Sequence, residues 1–252
     1  TSPVHLDGLG KDEIGEVGAG LRTVQGATLD VARAQAELVE KGISDIFVKL
    51  ARRNQSLVER QIALLDELEE SERDPDVLDN LFKLDHIATR IRRNAENLLV
   101  LSGAEPTRRW KEPVPLTRML QASMGEVEDF RRIHLADVED VAVSGTASLD
   151  LTHLFAELLE NAVRFSPPDA PVEVSARRKG DGVIVVVADR GMGMTDEQLS
   201  EANVLLASPP HAGLSMSRTL GHYVVARLAA RYGVVVRVDR SIDGGIVATA
   251  TL

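Results

Sequence analysis

The chain has 252 residues, of which 44% are hydrophobic, so it is long and apolar enough for one or two domains with a buried core. It contains no cysteine, which excludes a disulfide framework and a thiolate metal site. A net charge of −10 argues against nucleic acid as a partner. No apolar run has the length of a membrane span, and the sequence starts without methionine. We therefore expect a fragment that reaches a membrane only through missing N-terminal segments.

The first third of the chain has the pattern of a long helix with a heptad seam. Apolar residues follow alternating steps of three and four over residues 14–38, and a second seam with a new phase covers residues 47–68 after a break near Gly42. Asn54 and Gln61 lie on the second seam, where polar residues fix register and oligomeric state. The alternative is a helix packed on its own domain, but so narrow a stripe favours a partner helix.

The charged segment over residues 69–76 contains a proline and predicts a turn, after which a second helix returns. Its apolar stripe covers residues 77–98, and Ser102 and Gly103 supply a stop. Two antiparallel helices with single stripes bury little alone, whereas two copies make a four-helix bundle. We therefore predict a homodimer that forms through this helical hairpin.

His86 is the chemically interesting residue of the second helix. It comes two positions after Leu84, which places it opposite the seam and in solvent. By helical spacing Lys83, Arg90 and Arg93 share its face, and such a cationic surround would attract a polyphosphate. The alternative is an ordinary exposed histidine, because basic helix faces are common.

Pro113 and Pro115 mark a linker to a second domain, in which helices are mixed with short runs rich in valine and isoleucine. The predicted strands are 172–178, 183–188, 234–239 and 246–252, and the predicted helices are 116–130, 151–164 and 220–231. Their irregular order predicts an α/β sandwich, in which helices cover one face of a single sheet. The whole chain is then α+β, a helical dimerisation stem followed by this sandwich.

The helix over residues 151–164 carries a polar row beside its apolar stripe. Glu157, Asn161 and Arg164 follow at steps of four and three, so a carboxylate, an amide and a guanidinium share one face. Such a row is either a ligand site or an ordinary solvated face.

A second motif favours the ligand site. The sequence ADRGMGM, residues 188–194, directly follows an apolar strand. Gly191 and Gly193 allow the backbone to approach a ligand, and Asp189 at the strand end is placed to accept a hydrogen bond from it. A single D-x-G-x-G motif occurs by chance, but the two motifs in this order are specific.

With these motifs, the segment from Glu157 to the C-terminus resembles the Bergerat-fold (GHKL) ATPases of histidine kinases, gyrases, heat-shock chaperones and mismatch-repair proteins. The sequence ELLENAVRFSPP looks like the N box of the kinases. The resemblance implies ATP and Mg²⁺ as cofactors, with Asn161 as the metal ligand and Arg164 as a phosphate contact. An amide oxygen together with phosphates is adequate for Mg²⁺, which prefers oxygen ligands and keeps several waters.

The same resemblance implies roles for the other motif residues. Asp189 corresponds to the aspartate that accepts the adenine amino group, and Gly191 and Gly193 form the first glycine box. Glu157 matches an acidic residue that activates the nucleophile, which is water in the ATPases and a histidine in the kinases. The alternative for Glu157 is a glutamate on the helix surface.

Residues 195–220 correspond to the ATP lid, an irregular loop that orders on nucleotide. It ends in a reduced second glycine box, where only Gly221 remains of the usual Gly-x-Gly. The backbone of Gly221 is expected to offer amides to phosphate at a helix N-terminus, with Ser217 and Arg218 as compensating contacts. Residues 244–246, Gly-Gly-Ile, lack a hydroxyl that the family places there. The reduced glycine box and the missing hydroxyl are both departures from the family pattern that bear on the affinity for nucleotide and not on whether nucleotide binds.

Among the kinases, the chain is most similar to actinobacterial sensor kinases with a nitrate- and nitrite-sensing type of input, which are often encoded beside small GTPase-switch proteins. Residues 81–103 and 217–233 carry this similarity, and residues 12–21 resemble the second helix of a HAMP linker. The expected domains are a HAMP-like signalling helix (1–43), a dimerisation and phosphoacceptor hairpin (44–105) and an ATP-binding domain (113–252).

The acceptor departs from the commonest kinase pattern, in which the histidine lies on the first hairpin helix before Glu-x-x-Thr/Asn-Pro. The equivalent stretch here has Arg52 and Arg53, so His86 is the best available acceptor. We expect the cytoplasmic portion of a membrane-anchored, dimeric sensor histidine kinase that autophosphorylates and transfers phosphate to a response regulator. Small GTPase-switch proteins are the other expected partners.

Two alternatives stay open. In one, the chain is an ATP-binding scaffold that signals through protein partners. In the other, it is an ATP hydrolase or a serine kinase of the anti-sigma type, against which the long helical stem counts.

Overall fold

The computed structural model describes residues 13–102, 112–209, 220–242 and 244–252. The chain divides into two units, Thr1–Phe47 and Val48–Leu252. Within the described ranges, no helix is both long and apolar enough to cross a membrane.

Two long helices come first, α1 (Glu13–Ser71) and α2 (Pro75–Leu101). Helix α1 continues through Gly42, where the change of seam phase predicted a joint. One glycine lowers helix stability by only about 1 kcal/mol, so good helix formers on both sides are enough to keep the helix intact. In the first unit, the predicted seam residues Val24, Val31 and Leu38 are exposed.

The predicted turn between the helices is confirmed, and α2 begins at a well-formed cap. Asp74 Oδ1 accepts hydrogen bonds from the backbone N–H groups of Asp76 at 2.9 Å and Val77 at 3.4 Å. Pro75 occupies the first helical position, where its missing N–H costs nothing.

In the second unit, α1 and α2 share a small core and leave a second apolar stripe uncovered. Val58 and Leu65 of α1 pack with Ala88 of α2, flanked by Ile62 and Leu81. The predicted seam lies largely outside this core. Its exposed members are Leu50, Leu57, Leu64 and Leu68 on α1 and Val77, Leu84 and Ile91 on α2.

The C-terminal part contains the remaining helices and strands. The helices are α3 (Leu116–Gly125), α4 (Gly145–Phe165), α5 (Asp196–Ala207) and α6 (Leu220–Tyr232), and Phe130–Arg132 forms a short 3-10 turn. The strands are β1 (Val114–Pro115), β2 (Ile133–Val138), β3 (Ala142–Val143), β4 (Val172–Lys179), β5 (Gly182–Ala188), β6 (Val235–Arg240) and β7 (Ile246–Thr251).

Among the described residues, the main sheet has the strand order β2-β4-β5-β7-β6, while β1 and β3 form a separate antiparallel pair. Strand β2 is parallel to β4, and all other neighbours are antiparallel. Strand β4 buries alternate residues, Val172, Val174 and Ala176, which identifies the covered face of the sheet. This arrangement confirms the predicted sandwich and the α+β fold class.

The core of the sandwich lies between the sheet and α4. Leu154, Phe155 and Leu159 of α4 are fully buried. Val100, near the end of α2, belongs to the same core, and the backbone oxygen of Leu101 accepts a hydrogen bond from Arg227 of α6 at 3.3 Å. Helix α2 is therefore packed against the C-terminal sandwich within the second unit.

Candidate functional site

Asp189 lies at the end of β5 and is buried. Its Oδ1 accepts hydrogen bonds from the backbone N–H groups of Gly191 at 2.7 Å and Ile246 at 3.1 Å. Burial raises the pKa of this carboxyl above its ordinary value, and these two hydrogen bonds oppose the rise. Among the described residues Oδ2 has no hydrogen-bond partner, so it is available to accept a hydrogen bond from a ligand.

Glycines bring the backbone close to Asp189. A Cβ at Gly191 would collide with the backbone oxygen of Phe165, the last residue of α4. A Cβ at Gly245 would collide with the backbone oxygen of Asp189, and Gly245 has a φ of +81°. Gly191 was a predicted site residue, whereas this role of Gly245 was not predicted. A glycine pair directly before the last strand was the available signal.

The polar row on α4 is only partly exposed to solvent. Glu157 is buried with 6% of its surface exposed, whereas Arg164 is exposed and its guanidinium lies 5.7 Å from the ring centroid of Phe165. Asn161 lies between them, and its Nδ2 is buried without a hydrogen-bond partner among the described residues. A buried amide without a partner is uncommon in a folded protein and indicates a ligand position.

Gly221, in the first turn of α6, lies against the same row. A Cβ at this position would lie 2.7 Å from Glu157 Oε2 and 3.5 Å from Asn161 Nδ2. The structure therefore brings Glu157, Asn161 and Gly221 together. Burial lowers the pKa of the neighbouring His222 below its ordinary value.

Two residues of α2 that were not predicted as site residues bind Glu157. Arg93 Nε lies 2.9 Å from Glu157 Oε1, and Asn97 Nδ2 donates to the same oxygen at 3.2 Å. Arg93 Nη2 also lies 3.3 Å from Glu160 Oε2, and its Nη1 donates to the backbone oxygen of Glu126 at 3.0 Å. Glu157, the carboxylate of the N-box sequence, is therefore paired with helix α2 of the hairpin.

This contact corrects the predicted basic surround of His86. Arg93 is buried with 7% exposure, because its face of α2 packs on α4 instead of facing solvent. Lys83 pairs with Asp79, and Arg90 pairs with Glu128 at 3.2 Å. Arg93 is therefore withdrawn from this surround, whereas Lys83 and Arg90 remain exposed in surface ion pairs.

Burial perturbs the titratable groups around Arg93. The imidazole of His153 lies beside Asn97, with Nε2 2.5 Å from Asn97 Oδ1. Burial and, next, the charge of Arg93 lower the pKa of His153 to about 4, so the ring is neutral near pH 7. Burial raises the pKa of Glu96 to about 7 and also raises that of Glu126.

The predicted lid is only partly a loop. Residues 196–207 form α5, which Thr195 and Gln198 cap reciprocally, while Ala202 and Leu206 are buried in the core. The side chain of Asn203 bonds to the backbone of Val238 in β6. The capping box of Thr195 and Gln198 was the sequence signal for this helix, and the sequence analysis did not include it.

Two predicted site residues cannot be placed. Arg218 lies in the segment 210–219, outside the described residues. Position 86 is described as part of α2, but the side chain of His86 is outside the description.

A cleft of about 620 Å³ lies at the opposite end of β5 from Asp189, near the turn at Gly180 and Asp181. Its lining contains none of the predicted site residues. The motifs of the candidate site instead lie along α4, from Glu157 to Phe165.

Residues 146–252 match the family model described as histidine kinase-, DNA gyrase B-, and HSP90-like ATPase. The curated relatives include "Sensor protein QseC" of Escherichia coli strain K12, 28% identical over 164 residues that make up 62% of this chain and 35% of that protein. The QseC protein of Salmonella typhimurium is 26% identical over 170 residues, 64% of this chain and 36% of that protein. The chain thus spans about a third of the length of these relatives.

Solved structures of similar fold include full-length ShkA in complex with AMPPNP, with a TM-score of 0.52 and 17% identity over 82% of this chain and 45% of that one. The mycobacterial sensor histidine kinase MprB has a TM-score of 0.45 and 24% identity over 57% of this chain and 97% of that one. Residues 146–252 therefore match the family of histidine kinase-, DNA gyrase B-, and HSP90-like ATPases, and the chain is similar to the QseC sensor proteins over about 62% of its length.

Proposed function

We propose that the chain is the catalytic portion of a sensor histidine kinase that binds Mg-ATP, phosphorylates His86 and transfers the phosphoryl group to a response-regulator aspartate. The observation that supports this most is the meeting of Glu157, Asn161 and Gly221, with the buried Nδ2 of Asn161 lacking a partner among the described residues. We also propose that the natural protein is anchored in a membrane with this portion in the cytoplasm.

The nucleotide would lie along α4. Asp189 and Gly191 are at the C-terminal end of this helix, where Gly191 approaches Phe165, and they would bind adenine. Glu157 precedes Phe165 by eight residues, or about 12 Å of helix, so the phosphates would lie towards that end. There the first turn of α6 offers backbone N–H groups with no partner inside the helix, which suit an anion.

Magnesium fits this arrangement through Asn161. The described residues contain no group of three or more acidic or histidine side chains that suits a metal ion. By the family resemblance, the amide oxygen of Asn161 would hold Mg²⁺ together with oxygens of the nucleotide, a donor set that this ion accepts. Bound Mg²⁺ would neutralise phosphate charge, while Arg164 and Arg218 remain proposed phosphate contacts.

In the proposed reaction, an imidazole nitrogen of His86 forms a bond to the terminal phosphorus as the bond to the ADP oxygen breaks. The acceptor nitrogen must be deprotonated to attack. Glu157 would orient the imidazole by accepting a hydrogen bond from the other ring nitrogen, a contribution of positioning and charge.

The exposed stripe of the hairpin supports the proposed homodimer. Its apolar residues lie on both helices of one chain and are left outside the small core of Val58, Leu65 and Ala88. A second copy would cover them by forming a four-helix bundle. A response regulator or a small GTPase-switch protein is the proposed further partner.

Labelling with γ-³²P-ATP tests the function class. We expect label that acid removes and base does not, which is the behaviour of a histidine phosphoramidate. Base-labile, acid-stable label would indicate a serine kinase. Intact ATP binding without any label would support the ATP-binding scaffold and contradict the kinase.

A further inference from the structure

The sequence after helix α4 is poor in donors for the carbonyl groups at the C-terminal end of the helix. The last four carbonyl groups of a helix have no partner within it, and N–H groups of the residues that follow often bind them. After α4 the chain continues with Ser166, which is extended, and then with Pro167 and Pro168, which have no N–H group. The end of α4 therefore needs donors from another part of the chain.

Arg132, directly before strand β2, provides these donors. Its Nη1 donates to the backbone oxygen of Val163 at 3.1 Å, and its Nη2 donates to that of Pro167 at 2.5 Å. Nη2 also lies 3.4 Å from the backbone oxygen of Ser166, and Nε and Nη2 lie 3.2 and 3.1 Å from that of Ala170. A positive charge at the C-terminal end of a helix is favourable as well. One guanidinium thus binds the end of α4 and the loop that follows it.

The sheet holds the backbone beside Arg132 in place. The next residue, Ile133, begins β2, is 4% exposed and lies opposite Val172 of β4 in the parallel ladder. The side chain of Arg132 is itself largely buried, with 17% exposure. A guanidinium is a rigid planar fork of donors, whereas the ammonium group of a lysine is a single point on a flexible stem. Arg132 therefore fixes the end of α4 relative to the sheet.

The end of α4 in turn contacts the proposed adenine site. The backbone oxygen of Phe165 lies so close to Gly191 that a Cβ at position 191 would collide with it. Gly191 donates its N–H to Asp189 Oδ1 at 2.7 Å, and among the described residues this leaves Oδ2 for a ligand. A shift of Phe165 would therefore move Gly191 and, through this hydrogen bond, the carboxylate of Asp189.

We propose that Arg132 is a positioning residue for nucleotide binding, which holds the end of α4 so that Phe165 and Gly191 keep the carboxylate of Asp189 oriented for adenine. The inference rests on the proposed function, because it takes Asp189 as the residue that accepts the adenine amino group. Arg132 itself would not contact the nucleotide and would act through Asp189. Its loss should then weaken binding only as far as Asp189 contributes to it.

A double-mutant cycle tests this dependence. Calorimetry measures the Mg-ATP affinity of the full chain as wild type, Arg132→Gln, Asp189→Asn and the double variant. Arg132→Gln should weaken binding by about 5- to 100-fold, the range for loss of a hydrogen bond in a buried site. In the Asp189→Asn background the same substitution should weaken it no further, because the two residues act as one unit.

Arg131→Gln is the matched control for the cycle, because Arg131 is the neighbouring arginine and is exposed. This variant should bind Mg-ATP like wild type. An unchanged affinity in Arg132→Gln would overturn the proposal. An equally large loss with and without the Asp189 carboxylate would also overturn it, because Arg132 would then act by another route.

Amide exchange in the ligand-free protein separates positioning from general destabilisation. The N–H groups of Gly191 and Val238 are matched, because each donates to a side-chain oxygen, Asp189 Oδ1 at 2.7 Å and Asn203 Oδ1 at 2.9 Å. In Arg132→Gln, exchange at Gly191 should accelerate by at least about fivefold, which corresponds to one weakened hydrogen bond, while exchange at Val238 stays unchanged. Equal acceleration at both positions, or none at Gly191, would overturn the proposal.

Arg132→Lys replaces Arg132→Gln in both measurements if the glutamine variant does not fold. Lysine keeps the charge but loses the planar fork, so its ATP affinity should fall below that of wild type and its Gly191 exchange should be faster. A lysine variant that equals wild type in both would overturn the proposal. A wild-type chain that binds no ATP would contradict the proposed function instead, and exchange at Gly191 alone would then decide whether Arg132 positions Asp189.

Discussion

Gly245 packs against Asp189 so closely that a Cβ at position 245 would overlap the backbone oxygen of Asp189 and lie 2.7 Å from the backbone nitrogen of Gly191. Its φ of +81° is also unfavourable for a residue with a side chain. We predict that Gly245→Ala lowers the free energy of unfolding by about 2–4 kcal/mol, because backbone strain and a main-chain collision add. Denaturant unfolding measures this loss.

Gly244→Ala is the control for that substitution. Gly244 has a similar φ of +87°, but no described atom lies within 4 Å of its Cβ position. Its substitution should therefore cost only the conformational strain, about 1 kcal/mol. Equal losses in the two variants would show that the packing against Asp189 contributes nothing.

Substitutions of Glu157 and Asn161 are predicted to impair different steps, phosphoryl transfer and nucleotide binding. Glu157→Gln should retain Mg-ATP binding, because Asn161 and Asp189 remain, while autophosphorylation falls by about 10²- to 10⁴-fold, the range for losing a general base. Asn161→Asp adds a negative charge beside the phosphates and should weaken nucleotide binding itself. Calorimetry and labelling on both variants measure the two steps. Equal loss of ATP binding would make Glu157 a structural or ligand-binding residue.

The sequence predicts the elements whose fold follows from one local pattern of residues. The sandwich followed from the strand and helix patterns, and the site motifs followed from the spacing of Glu157 and Asn161 and from the glycines after Asp189. Strand β2 was expected only as a strand that begins near His134, without an end, because in IHLADV only Ile133 is deeply buried and the alternation is weak. Its place at the sheet edge explains that pattern.

The ion pair of Arg93 with Glu157 could not be predicted from a local sequence pattern. Arg93 and Asn97 lie one turn apart on a polar face of α2, and such a face looks the same whether water or another domain covers it. The burial of Arg93 and Asn97 and the packing of Val100 in the sandwich core show that this face is covered. The prediction that Arg93 belongs to an exposed basic surround of His86 was wrong for this reason.

The exposed apolar stripe of the hairpin predicts a dimer that a charged substitution in the stripe would dissociate. Leu57 and Leu64 are 55% and 61% exposed in one chain, so a glutamate at either position should be tolerated by the hairpin but not by a bundle core. Leu57→Glu with Leu64→Glu should give a folded monomer by light scattering at micromolar concentration. Ile242→Glu, which is fully exposed outside the stem, should leave the dimer intact. A wild-type chain that is already monomeric would contradict the stem interpretation.

Glu96 makes stability depend on pH. Burial raises the pKa of its carboxyl to about 7 in the folded protein, against about 4.3 in an unfolded chain. Between these values the folded state holds a proton that the unfolded chain has released, so stability falls as pH rises through this window. Glu96→Gln should therefore raise the free energy of unfolding by about 1–3 kcal/mol at pH 8, and by less towards pH 5.

Denaturant unfolding of wild type and variant at each pH tests this prediction. His153, whose pKa burial lowers to about 4, contributes the opposite slope up to about pH 6.5, but it is present in both proteins and its effect largely cancels. Glu67→Gln, on the exposed surface of α1, is the control. A stability gain from Glu96→Gln that is equally large at pH 5 and pH 8 would show that burial of the charged carboxylate is not its cause.

The most direct test of the proposed kinase is the amount of acid-labile label that γ-³²P-ATP leaves on wild type, His86→Gln and His134→Gln. His134 is exposed on β2 and serves as the matched histidine. We predict that wild type and His134→Gln are labelled alike and that His86→Gln takes no label, while all three bind ATP equally by calorimetry. Undiminished label on His86→Gln would contradict the assignment of His86 as the acceptor.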